Sequence, residues 1–124
     1  MKKIKSYFSF ENESFLEGEE VFDVLTETSI LEAEEYLSEQ KADVSNIYFK
    51  LLSQLQFLEN DYEKNKDEIA YLYHLIGYYV GLFLHPFDGD KIAIHYINKA
   101  ISIEKNSKRI EQYKETIKMI QEEL

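Results

Sequence analysis

The chain has 124 residues, the length of one domain, and a domain of that size buries roughly two-thirds of the surface its unfolded chain exposes. Four Gly and one Pro are too few for a turn-rich β fold, and the absence of Cys excludes disulfides, thiolate metal sites and cysteine nucleophiles. The net charge of −10 opposes binding to nucleic acid phosphates and to anionic membranes.

In the first ten residues Ile4, Ser6, Phe8 and Phe10 alternate with Lys3, Lys5, Tyr7 and Ser9. A period of two fits a strand, but a lone strand has no partner, so residues 1–10 are read as an extended arm packed on helices. Met1-Lys2-Lys3-Ile4-Lys5 has the charge of a signal peptide, yet Glu11 and Glu13 arrive before any apolar stretch long enough to be one. A short helix is expected from about Ser14 to Leu25, burying Phe15, Val21, Phe22 and Leu25. Ser29, three residues before Glu32, has a capping-box pattern. The helix after it buries Ile30, Ala33 and Leu37 and leaves Glu32, Glu35 and Glu39 outside.

Asp43 is placed to cap a third helix, whose Ile47, Leu51, Leu55 and Leu58 recur at helical spacing until Asn60-Asp61. Asn65 with Glu68 resembles another box. Ile69 to Leu84, 16 residues long, is apolar nearly all round and contains His74, two Gly and four Tyr. It falls short of the roughly 20 residues of a membrane span, which makes it a buried central helix. His85-Pro86 ends it, because the residue before a proline avoids the helical region. Asp88 or Asp90 caps a helix carrying Ile92, Ala93, Tyr96, Ile97, Ala100 and Ile101. Ser107 caps the last, whose stripe is Ile110, Tyr113, Ile117, Ile120 and Leu124. The expected fold is one all-α cytoplasmic domain, residues 1–124, with five to six helices in antiparallel hairpins.

From Tyr73 to Asn106 the chain resembles a tetratricopeptide repeat. Leu75-Ile76-Gly77 has the small-residue site of the first repeat helix; Ala93, Ile97 and Ala100 have the small, large, small spacing of the second; Ile103-Glu104-Lys105-Asn106 resembles the exit without its proline. The resemblance implies two closely packed helices and, with neighbouring repeats, a peptide-binding groove. The gap between Gly77 and Ala93 is four residues longer than the family pattern, and no second copy is evident, although one repeat cannot bury its face alone.

His85-Pro86-Phe87-Asp88-Gly89-Asp90-Lys91 resembles part of the signature of Fic-type nucleotide transferases, which would make His85 a general base beside a phosphate-binding helix N-terminus. The spacing residue is missing, Asp90 replaces the Asn, and Lys91 stands in place of the second Gly; an Asp at the anion site repels phosphate. The bland reading is a proline-stopped helix and a capped turn. His74, His85 and His95 are spaced 11 and 10 apart, unlike ligands on one helix face, and no Glu-x-x-His pair occurs. Glu17-Gly18-Glu19-Glu20 with Asp23 lacks the ligand order of a calcium loop. Tyr48, Tyr71, Tyr78 and Tyr79 read as core or groove lining. No catalytic residue, metal site or cofactor is therefore expected.

The acidic charge is concentrated. Residues 11–39 hold eleven acids and no Lys or Arg, whereas the rest of the chain holds 13 acids against 14 bases. Such a field attracts a basic protein and raises its association rate. A solvated face that keeps the protein soluble is the alternative, but interspersed bases would serve that end with less repulsion. Glu20, Asp23, Glu27, Glu32, Glu35 and Glu39 are the expected contact residues, and protein binding, as by an acidic inhibitor or immunity-type protein facing a toxin, is the expected function.

Overall fold

In the computed structural model, which describes Tyr7, Phe8 and residues 15–122, the chain is all-α. Among the described residues six α-helices follow in order: α1 (Gly18–Val24), α2 (Glu27–Glu39), α3 (Asn46–Glu59), α4 (Lys66–Tyr79), α5 (Gly89–Ile103) and α6 (Ser107–Glu122). A π-helical turn, Val80–Leu84, extends α4. No strand occurs among the described residues, and no described helix is long and apolar enough to cross a membrane.

Helix α4 is the axis. Every residue from Ile69 to Gly77 is buried, as its all-round apolar pattern predicts. It packs against α1, α2, α3 and α5; its π extension also lies on α5, which carries α6 on another side. The inward stripes of α2 (Ile30, Ala33, Leu37) and α3 (Ile47, Leu51, Leu55, Leu58) are buried as expected. In α5 the buried side chains are Ala93, Ile97 and Ala100, with Gly89 buried at its start; Ile92 is exposed.

Helices α4 and α5 approach closely because α4 offers hydrogen atoms where they meet. A Cβ on Gly77 would lie 2.5 Å from Ile97 Cγ1 and 2.7 Å from the Ala93 carbonyl oxygen; one on Gly81 would lie 2.6 Å from Ile120 Cδ1 and 3.0 Å from Ala93 Cβ.

Several termini differ from the sequence expectation. Residues 15–17 are not helical. The Leu16 N–H donates to Gln54 Oε1 at 2.8 Å and its carbonyl accepts from Gln54 Nε2 at 2.9 Å, and Leu16 is buried in place of Phe15. Phe15 instead stacks on Phe57 at the surface, and Phe22 is half-buried. Helix α2 is capped by Thr26, not Ser29: the Ser29 N–H donates to Thr26 Oγ1 at 3.0 Å, and the Thr26 N–H donates to Ser29 Oγ at 2.7 Å. The box is thus Thr26/Ser29, one turn earlier than expected.

The Asn65 side chain makes no cap bond; its Nδ2 donates to the Leu58 carbonyl, closing the α3–α4 corner. Asp43 accepts from both the N–H and the hydroxyl of Ser45, which lowers its pKa, and so forms a turn just ahead of α3. Asp88 precedes α5 without a side-chain cap, and Asn106, not Ser107, caps α6 by accepting from the Arg109 N–H at 3.0 Å. Of the expected arm only Tyr7 and Phe8 are described. Both are buried side by side, and Tyr7 has helical backbone, against the alternation of a strand; the remainder of residues 1–10, and Leu124, lie outside the described residues.

Two substitutions test the α4–α5 contact. Gly77→Ala improves helix propensity by up to about 1 kcal/mol, yet its methyl meets a backbone carbonyl that cannot rotate away. We expect a net loss of stability in thermal melts. Ala100→Leu overpacks the same hairpin and should cost about 1–3 kcal/mol. Parent-like melting of both variants would be incompatible with this packing.

Candidate functional site

Apart from exposed Glu17 and Glu19 at the start of α1, the acids of residues 15–39 divide into two sets. Glu34 faces the core: the Tyr79 hydroxyl lies 2.7 Å from Glu34 Oε2 and 2.8 Å from the Val44 carbonyl oxygen, in reach of either acceptor. Glu27, expected to face outward, is engaged across the molecule; Gln112 Nε2 of α6 donates to its Oε1 at 3.2 Å, and that oxygen stands 3.6 Å from His74 Nε2. The reason is the earlier start of α2, which puts Glu27 in its first turn beside α6. Glu20 is half-buried and accepts from the Glu17 N–H at the start of α1.

The outer set is Asp23 on α1 and Glu32, Glu35 and Glu39 on α2. Asp23, Glu35 and Glu39 are exposed and Glu32 is half-buried. Spacings of three and four place the α2 acids on one face. Among the described residues no Lys or Arg pairs with any of these four. Leu31, one turn before Glu35, is 42% exposed in their midst. Leu31 lies off the inward stripe of Ile30, Ala33 and Leu37, and that displacement marks it in the sequence.

His74 is fully buried against Tyr113, ring centroids 4.5 Å apart and nearly parallel. The Thr116 hydroxyl donates to the Gln112 carbonyl, so His74 Nε2, 2.9 Å away, carries the proton and donates to Thr116 Oγ1. Nδ1 is then a bare acceptor, and it has no partner among the described residues. Burial lowers the His74 pKa from 6.5 to about 4, so the ring is neutral at physiological pH. Burial likewise raises the Tyr71 phenol, to about 12. Tyr71 and Tyr79 are core residues, while Tyr48 and Tyr78 are half-buried, and the Tyr48 hydroxyl lies 3.1 Å from that of Tyr96.

His85 is exposed and left-handed (φ 47°), and ends the π turn. It lines a depression of about 220 Å³ with Gly81, Pro86, Asp88, Gly89, Asp90 and Ile120. Two carboxylates line the approach to the N-terminus of α5, where a phosphate-binding site would present N–H groups alone. No group of three His, Asp or Glu side chains is placed to hold a metal ion among the described residues.

The chain matches no family model, and no curated protein or solved structure matches it. Its function must be argued from these surfaces.

The His74 pKa sets a pH dependence. The folded state binds a proton there less readily than the unfolded chain does, so His74 contributes no penalty above pH 6.5. Stability falls as pH drops from 6.5 to about 4, by up to about 3 kcal/mol. His74→Phe keeps the ring stack and removes the titration. Denaturant unfolding across this range should be flatter in that variant, and an unchanged slope would remove His74 as the cause.

Proposed function

We propose that the protein is a non-catalytic protein-binding module. Its acidic α1–α2 face takes a basic partner, as a small cytoplasmic inhibitor or immunity-type protein neutralises a cationic toxin. The observation that carries this reading is the division of the acids. The inward acids Glu27, Glu34 and Glu104 are hydrogen-bonded within the fold, whereas Asp23, Glu32, Glu35 and Glu39 stand without a cationic neighbour among the described residues. Like charges at helical spacing cost a few tenths of a kcal/mol per pair, a cost that a basic partner removes.

Leu31 supplies an apolar contact inside the charged rim, the arrangement of protein interfaces in general. Against the transferase reading of His85, the two carboxylates beside it disfavour a phosphate ligand.

The test is to co-purify the protein at low salt with its bound partner, then measure that complex with Asp23, Glu32, Glu35 and Glu39 all changed to Lys. Glu27 is left intact because it bonds to α6. We expect a basic partner, affinity that drops steeply with added salt, lost binding in the variant, and melting equal to or above that of the parent. Undiminished affinity in the charge-reversed protein would reduce the segment to a solvated face.

A further inference from the structure

A second surface, remote in sequence from the acidic segment, has the opposite chemistry. Phe87 is 92% exposed at the tip of the turn between the π segment and α5. The turn is held rather than loose. The His85 N–H donates to the Val80 carbonyl at 3.1 Å, the Gly89 N–H to the Pro86 carbonyl at 2.8 Å, and the Ile92 N–H to the Asp88 carbonyl at 3.0 Å. The residues at either end, His85 and Asp88, both adopt left-handed backbone (φ 47° and 55°), a conformation costly for side chains other than glycine. The Pro86 ring fills the space over Gly89, leaving no room for a Cβ there. Phe87 thereby stands in water on a hydrogen-bonded turn.

Behind it lies a shallow depression of about 430 Å³ lined by Phe87, Asp88, Lys91, Ile92, His95 and Tyr96. The aromatic surface continues onto α3: Tyr96 meets Tyr48 hydroxyl to hydroxyl, and Tyr48 packs edge-on against Phe49, itself 56% exposed. On its other side Tyr96 stacks on Tyr73, over which Lys99 Nζ sits at 5.4 Å. The cations of this face are Lys91 and Lys99, one on each side of His95. In a chain with 24 acids and 14 bases, neither lysine pairs with a carboxylate among the described residues. Asp88 is the one carboxylate lining the depression.

The geometry points to a docking site for an acidic protein segment: an apolar side chain of the partner enters the depression between Phe87 and Tyr96, and its carboxylates meet Lys91 and Lys99. Charge complementarity selects this occupant. A basic segment would be repelled by the two lysines and drawn to the α1–α2 face instead, so the two surfaces sort partners by sign. The site does not depend on the acidic face binding anything.

The test uses the whole protein and two short helical peptides. Both carry a pair of leucines one turn apart, flanked in one by glutamates and in the other by lysines. Fluorescence anisotropy should show the glutamate peptide bound, with affinity weakened about thirtyfold by Phe87→Ser, as for loss of an aromatic anchor. Lys91→Glu combined with Lys99→Glu should abolish it. Phe87 lies wholly at the surface, so Phe87→Ser should melt like the parent; Lys99 also sits over the Tyr73 ring, so the double lysine variant should melt somewhat lower while staying folded at the assay temperature. Any binding of the lysine peptide should be indifferent to Phe87→Ser. Failure of the glutamate peptide to bind, or binding that Phe87→Ser leaves intact, overturns the proposal. So does a parent dimer in sedimentation that Phe87→Ser dissolves, since that assigns the face to a second copy of the chain.

Discussion

Helix α4 is buried on all sides from Ile69 to Gly77 yet carries polar groups, and a buried polar group left without a partner costs about 1–3 kcal/mol. That constraint organises the molecule. His74 reaches α6 through Thr116, Tyr73 reaches α3 through Glu59, and Tyr79 reaches α2 through Glu34. Helices α2, α3 and α6 therefore each supply a polar group at a set height along α4. Apolar contact alone tolerates sliding; a hydroxyl that must meet one carboxylate does not.

The same logic explains polar groups away from the axis. Buried Gln54 spends both ends of its amide on Leu16 and accepts from Tyr7, which anchors the N-terminal segment to α3. Glu104 closes the α5–α6 turn. Burial by itself would raise its carboxyl, but bonds from Arg109, Tyr113 and the Asn106 N–H, with the guanidinium charge, outweigh this and hold it below the usual value. The Arg109 guanidinium also lies over the Phe22 ring at 4.9 Å, tying α1 to the end of the array. Glu27, Glu34 and Glu104 are thus bonded within the fold, whereas Asp23, Glu32, Glu35 and Glu39 meet solvent with no cationic partner among the described residues, and this second set concentrates negative charge on α1 and α2.

Much of this was legible in the sequence because a helical period is a local property. Ile47, Leu51, Leu55 and Leu58 fall inward on spacing alone, and the all-round apolar run from Ile69 onward marks a helix that others must cover. Pro86 ends it by forcing His85 out of right-handed helical backbone, a clash between neighbours. The missing Cβ atoms of Gly77 and Gly81, opposite Ala93 and Ile97, likewise permit two helices to close.

What only the tertiary structure decided were choices between locally equivalent options. Thr26 and Ser29 are both able caps with a partner three residues on; the earlier one was taken, directly after buried Leu25. Phe15 and Leu16 are adjacent apolar residues, and Gln54, 38 positions away, selected Leu16. Glu27 and Glu34 are indistinguishable in sequence from Glu35, yet their partners lie 85 and 45 residues distant. A side chain's spacing fixes the face of the helix on which it sits, but the group waiting across that face belongs to another part of the chain, and the packing of whole helices determines it.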